Sequence, residues 1–263
     1  MKKLITIAMI VMIVSGLIIL GCSKRNTTTP VEEDTPTATI TNTPGAPTAT
    51  PTNTLSASAG LIDDCEDGDN VNLWSGAWYT YDDTPNSGTS WIWPPSSTLT
   101  MSSGGYNSSY ALHVSGQVKA GYAYPFAGVG AQLTATAGCS DCAKTDISSY
   151  SGVRFWIKGS LDSTLNLNVI LPYTGACDAG ACATLSGYND FKFTITSNVS
   201  GVWSQVVIPF SSFTTGGTWG TPPANISTVQ AAASEFQFQF KGPDNYAGTG
   251  LNFDVWIDYL ELY

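Results

Sequence analysis

Residues 61–263 open and close on acidic and aromatic side chains. The opening is Leu61-Ile62-Asp63-Asp64-Cys65-Glu66-Asp67-Gly68-Asp69, followed by Trp74, Trp78, Tyr79 and Tyr81. The close runs Phe253-Asp254-Val255-Trp256-Ile257-Asp258-Tyr259-Leu260-Glu261-Leu262-Tyr263. Indole and phenol rings stack on the C–H faces of sugars, and Asn, Gln, Asp or Arg beside them bond the hydroxyls. Carboxylates gathered from two strands offer hard oxygen ligands, which suit calcium. Asp64 and Glu66 on the first strand and Asp258 on the last are the expected ligands of a structural calcium. Asp67-Gly68-Asp69-Asn70 lacks the twelve-residue ligand pattern of an EF-hand.

Bond-breaking chemistry has little to work with. His113 is the only histidine, on the alternating stretch Tyr110-Ala111-Leu112-His113-Val114, and is expected to be packed or solvated. No Gly-x-Ser-x-Gly nucleophile elbow occurs. Gly128-Val129-Gly130 is a fragment of a dinucleotide motif without its strand–helix setting. Pairs of acids for glycosidase chemistry exist, but none has a recognisable catalytic context.

The cysteines Cys139-x-x-Cys142 and Cys177-x4-Cys182 are expected to form disulfides in an exported protein. Four cysteines allow three pairings, and spacing does not choose among them. A four-cysteine zinc site is the alternative. Cys65 is expected to be a buried free thiol.

The elements that must carry these groups are strands. Val153, Phe155 and Ile157 alternate with Arg154, Trp156 and Lys158, and Leu165, Leu167 and Val169 with Asn166, Asn168 and Ile170. Phe191, Phe193 and Ile195 do the same, as do Phe236, Phe238 and Phe240. Each pattern predicts a strand with one buried face. In the last strand Phe253, Val255 and Ile257 are in phase while Leu260 and Leu262 are out of phase, which predicts a bulge near Asp258. No window predicts a long amphipathic helix, and no internal repeat is present. The fold class is all-β: an antiparallel two-sheet β-sandwich, most simply a jelly roll.

The Asp63-Asp64-x-Glu66 opening resembles that of family 11 carbohydrate-binding modules and their galactose-binding-like relatives. So do the stretch Ser148–Gly159, the run Trp203-Ser204-Gln205-Val206-Val207-Ile208-Pro209-Phe210-Ser211-Ser212-Phe213, and the close from Asp254 to Leu262. The complex I intermediate-associated protein family shares much of the pattern. Cys65 stands where the family has an aromatic. The resemblance implies a sugar-binding face that carries rings. It places a ring at Trp78 or Tyr79, another at Tyr122, and a loop ring at Trp219 before Pro222-Pro223. Parity adds Tyr124 beside Tyr122, and Gln237 and Gln239 opposite the Phe face of their strand. Trp91 and Trp93 alternate around Ile92, in a loop without a family counterpart, and are expected to extend the site. The resemblance also implies first and last strands that pair and share calcium.

The N-terminal quarter is different in kind. Lys2 and Lys3 precede an apolar run from Leu4 to Leu20, which meets Gly21-Cys22. This resembles a bacterial lipoprotein signal peptide, and implies lipidation of Cys22. Ser23 rather than Asp after the cysteine implies the outer membrane in a diderm organism. The alternative is an uncleaved membrane anchor. Thr and Pro dominate 26–59, which cannot bury a core and is expected to act as an extended tether. At about 3.1 Å per residue in polyproline II such a segment reaches roughly 100 Å. The expected organisation is a signal peptide over 1–21, lipidated Cys22 and linker over 22–60, and the sandwich over 61–263. The protein is thus expected in the cell envelope, touching membrane only through its lipid.

Charged residues make up only 11% of the chain, and the net charge is −10. From Leu61 onward there are 17 acids against 6 bases. Nucleic acid needs a basic footprint and is excluded as an expected partner. A neutral polysaccharide or oligosaccharide meets no such repulsion. The expected function is non-catalytic binding of a β-glucan-like polysaccharide, with no catalytic cofactor. Two other readings compete. A protein-interaction module would scatter its rings, and a glycoside hydrolase would face two carboxylates across a cleft.

Overall fold

The computed structural model describes residues 59–134, 144–172, 189–195, 199–217 and 222–263. The signal segment with Cys22, nearly all of the Thr/Pro-rich stretch, the four cysteines at 139, 142, 177 and 182, and Trp219 lie outside the described residues.

Twelve strands are described: β1 (Leu61–Asp63), β2 (Trp78–Asp82), β3 (Trp91–Trp93), β4 (Ser102–Ser103), β5 (Tyr110–Val118), β6 (Phe126–Gln132), β7 (Gly152–Leu161), β8 (Asn166–Leu171), β9 (Phe191–Ile195), β10 (Ser204–Pro209), β11 (Glu235–Lys241) and β12 (Leu251–Leu262). One short helix, α1 (Ile226–Gln230), precedes β11. Asn225 caps it by accepting the amide of Thr228. The strands form two antiparallel sheets. The larger has the order β10-β7-β12-β5-β3, with β1 on β12 and β4 on β5, and the smaller has the order β2-β6-β11-β8-β9. From β5 onward the chain changes sheet at every connection except β8 to β9. This is the two-sheet jelly-roll sandwich that the alternating patterns predict.

Period-two alternation decides what is inside. Phe236, Phe238 and Phe240 on β11 are fully buried, as are Leu167 and Val169 on β8 and Phe155 and Ile157 on β7. Rings join the sheets across the core. Phe155 meets Phe238 edge-to-face at 5.0 Å, and Phe240 stacks on Phe253 at 3.9 Å. The predicted bulge is present. The β12–β7 register shifts between Asp258 and Glu261, and Tyr259 takes a positive φ of 49°. The shift returns Leu260 and Leu262 to the core side, where both are buried.

The first and last strands pair, Leu61 opposite Glu261. Cys65, expected on a buried strand, instead sits in the turn after β1 with φ 61°, and its thiol is free and buried. The acids expected to hold calcium are bonded to the protein itself. Asp258 Oδ2 accepts the amide of Tyr106 and the hydroxyl of Ser108, and its Oδ1 accepts the amide of Tyr259. Glu66 accepts the amides of Ser109 and Tyr110. Asp64 accepts the amide of Glu66. The three carboxylates are directed at loop amides and hydroxyls, and no group of three or more His, Cys, Asp or Glu able to hold a metal occurs among the described residues.

Burial raises the pKa of two of these acids. Asp63 lies in the core and accepts the Cys65 amide and the Trp78 indole N–H. Desolvation pushes its carboxyl up to about 6 against those two bonds. Desolvation likewise pushes Asp258 up to about 7, opposed by its three donors and assisted by the charge of Glu66. Both groups bind their proton more tightly folded than unfolded. Their contribution to stability is full below the unfolded value near 3.8 and is lost as pH rises through about 6 and 7. The melting temperature is therefore higher at pH 5 than at pH 8, with each kcal/mol moving it by about 2–4 °C in a domain of this size. Calorimetry at the two pH values checks this. A melting temperature that is flat or rises with pH contradicts it.

Candidate functional site

The smaller sheet has one face in the core and one outward. On the outward face the antiparallel register places residues in rows. Tyr79 (β2), Gly130 (β6), Gln237 (β11), Ile170 (β8) and Lys192 (β9) lie opposite one another in turn. The next row is Tyr81, Gly128, Gln239, Asn168 and Thr194. Each row thus begins with a phenol ring, passes over a glycine and continues with a glutamine amide.

The glycines are required by close approach. A Cβ at Gly130 would lie 2.4 Å from the Tyr79 ring, and one at Gly128 would lie 2.4 Å from the Tyr81 ring. Both rings therefore lie across the bare β6 backbone, their centroids 5.9 Å apart. The line of rings continues. Phe126 is 6.0 Å from Tyr81, Tyr122 is 6.2 Å from Phe126, and Tyr124 is 5.8 Å from Tyr122. Tyr124 is the most open, 54% exposed, with the Lys241 ammonium 5.9 Å from its ring centre.

Polar groups hold the rings in place. The Tyr79 hydroxyl donates to Glu235 Oε2 at 2.7 Å. Gln237 Nε2 donates to Glu235 Oε1 at 2.7 Å and to the Tyr79 oxygen at 3.1 Å. Tyr81 donates to Gln237 Oε1 at 3.4 Å. Burial, then the Glu235 charge, raises the pKa of both phenols, so they stay neutral donors. Burial also raises that of Glu235, against the bonds from Tyr79 and Gln237. Thr194 Oγ1 donates to Asn168 Oδ1 at 2.8 Å. Gln239, half-buried in the second row, has no side-chain hydrogen bond among the described residues. Such a face offers fixed apolar plates beside amide donors and acceptors, which is the chemistry of stacking on a sugar ring while bonding its hydroxyls.

The residues singled out in the sequence divide. Tyr79, Gln237 and Gln239 share the face, and Tyr122 and Tyr124 stand at its end. The two end tyrosines come from a loop rather than a strand, so contact and not parity brings them together. Trp78 is corrected: it is 1% exposed, stacks on Phe238 and donates its indole N–H to Asp63. It is a core residue and presents nothing to a ligand. Trp91 and Trp93 lie on β3 of the other sheet and do not extend this face. Trp219 is outside the described residues. Tyr81, Phe126, Glu235 and Asn168 were not anticipated. The two-residue step from Tyr79 to Tyr81, and from Gly128 to Gly130, is the signal that points to them.

No protein-family model matches the chain. Endoglucanase 3 of Fibrobacter succinogenes (strain ATCC 19169 / S85) is 30% identical over 189 residues, covering 69% of this chain. The chain spans 24% of the length of that relative. Solved structures resemble it more distantly. The family 11 carbohydrate-binding module of the cellulosomal cellulase Lic26A-Cel5E of Clostridium thermocellum is 16% identical, with a TM-score of 0.47 over 79% of this chain and 95% of the module. A family 11 module from the same organism, in complex with a β-1,3-1,4-mixed-linked tetrasaccharide, is 17% identical, with a TM-score of 0.47 over 77% and 94%. A family 30 carbohydrate-binding module is 16% identical, with a TM-score of 0.45 over 70% and 91%.

Proposed function

We propose that residues 61–263 form a non-catalytic carbohydrate-binding module that grips a β-glucan-like polysaccharide on the outward face of the smaller sheet. The observation that carries this reading is the pair Tyr79 and Tyr81, laid side by side over Gly130 and Gly128 and continued by Gln237 and Gln239. The rings are fixed before any ligand arrives, so little side-chain freedom is lost on binding. The relation to an endoglucanase over most of the folded part supports a glucan as ligand. Hydrolysis would need two carboxyl groups facing each other about 5–10 Å apart. On this face Glu235 is already bonded to Tyr79 and Gln237, and Asp190, just before β9, is the second acid, near enough for its charge to help raise the Glu235 pKa.

Affinity electrophoresis of the protein through gels containing different polysaccharides tests the reading. The expected result is retardation by β-glucan that changes little between low and high salt, because neither a neutral sugar nor a ring carries charge. Free migration through every glycan contradicts it, and retardation abolished by salt contradicts the stacking basis.

The module is held at the cell envelope, in this proposal, by a lipid on Cys22 and a Thr/Pro-rich tether. Cys22→Ser is expected to release or misroute the protein, and globomycin, which blocks lipoprotein signal cleavage, to leave a larger precursor. Fractionation with immunoblotting reads both, and normal maturation of the Cys22→Ser protein contradicts the anchor.

A further inference from the structure

The larger sheet also carries rings on its outward side. On β3, Ile92 points inward while Trp91 and Trp93 are 43% and 60% exposed. Trp93 pairs with Ser115 on β5, and His113 lies two residues along the same strand face. The His113 ring stacks on Trp256 at 4.0 Å and 10°, and its Nε2 lies 2.9 Å from Asp254 Oδ1. The Trp91 indole N–H donates to Gln117 Oε1, and Gln117 Nε2 donates to Asn252, so the neighbouring ring is tied down too. Trp93, His113 and Ser115 also line an open groove of about 270 Å³, together with Pro94, Thr98, Thr100 and Ser102.

The lining selects a ligand class. It offers an indole plate, a proline ring, an imidazole and four hydroxyls, with no carboxylate or ammonium. The hydroxyls of Thr100, Ser102 and Ser115 have no partner among the described residues. A charged ligand finds no counter-charge there, since the imidazole is engaged by Asp254. An apolar segment would cover these hydroxyls without bonding them. The volume is just under the roughly 300 Å³ at which small-molecule pockets begin, which suits one sugar ring and not a long segment. We infer that this groove is a second saccharide-binding site, in which one sugar residue stacks on Trp93 and bonds the Thr and Ser hydroxyls. Its choice of ligand rests on the carbohydrate-binding reading above, but its location does not. The two faces belong to opposite sheets and point away from each other, so one chain of this protein bridges two glycan chains. Two weak sites on one polymer-bound molecule raise avidity without any new contact.

The test is isothermal titration of the full chain with a mixed-linkage β-glucan oligosaccharide, on four proteins: wild type, Trp93→Ala, Tyr79→Ala/Tyr81→Ala, and the triple variant. Trp93 projects into solvent, so its loss leaves the core intact, and thermal melts confirm that each variant is folded. The expected stoichiometry is two per chain for wild type, one for Trp93→Ala, one for the tyrosine pair and none for the triple variant. Trp93→Phe restores the second site, and at that site Trp93→Ala weakens binding by about tenfold or more, a factor of ten being about 1.4 kcal/mol. Wild type binding a single ligand, with Trp93→Ala unchanged, overturns the second site and leaves the first standing. Loss of all binding in Trp93→Ala with none lost in the tyrosine pair overturns the first site and leaves the second. A wild type that binds no ligand overturns both.

Discussion

Replacing Tyr79 and Tyr81 together by alanine is expected to cost the smaller-sheet face most of its affinity for glucan oligosaccharide. The two rings form adjacent plates 5.9 Å apart, and removing both deletes the stacking surface at its centre. Anchoring aromatics at binding surfaces typically contribute about 2 kcal/mol or more each when truncated. One such loss is about 30-fold in affinity, and the pair is expected to exceed it. The hydroxyls matter less than the rings. Tyr79→Phe removes the bond to Glu235 and the one accepted from Gln237, leaves the ring in place, and is expected to retain most binding. The glycines give an independent handle on the same plates. Gly130→Val leaves the Tyr79 ring in the chain but forces it off β6, since even a Cβ there would sit 2.4 Å from it. Titration calorimetry of these variants, with melts to confirm folding, checks each outcome. If Gly130→Val and the double alanine variant bind as wild type does, the site is elsewhere.

Trp78→Ala is expected to damage stability and not the site. The ring is buried between the sheets against Phe238, and its indole N–H is bonded to the Asp63 carboxyl in the core. Truncating a buried aromatic of this size removes about 3–5 kcal/mol. The lost bond adds to that, because Asp63 is left buried with one partner fewer. Against a typical total of about 5–15 kcal/mol, this is a fifth of the stability at the least and nearly all of it at the low end of the range. Denaturant titration measures the loss. The less drastic Trp78→Phe keeps the ring but leaves Asp63 short of a donor, and is expected to lie in between. A fully stable Trp78→Ala that has lost sugar binding would return Trp78 to the ligand surface.

Much of the fold follows from alternation alone, because each strand here has one face in the core and a one-residue slip would expose it. Phe236, Phe238 and Phe240 reveal their own strand, and with it the outward placement of Gln237 and Gln239. The phase change after Ile257 reveals the bulge at Asp258. The edge strand β2 is different. Trp78, Tyr79, Thr80 and Tyr81 place aromatics on both faces, so alternation does not say which ring is inside. That depends on β6, about 50 residues further on, whose Gly128 and Gly130 leave room for rings on only one side. The partners of the acids are hidden for a related reason. Their clustering is visible in the sequence, but the amides that occupy them come from Tyr106 to Tyr110, more than 40 residues from Glu66 and about 150 from Asp258. A charge cluster shows where carboxylates gather and not what they face. His113 was expected to be packed or solvated; its ring stacks on Trp256 and its Nε2 meets Asp254.

The most direct test of the central claim locates the ligand on the surface. Amide chemical shifts of the protein are followed while a β-1,3-1,4 glucan oligosaccharide is added. The first and largest changes are expected on β2, β6 and β11, at Tyr79, Tyr81, Gly128, Gly130, Gln237 and Gln239, with changes near Trp93 following at higher concentration. Binding that leaves those six amides unmoved would contradict the account.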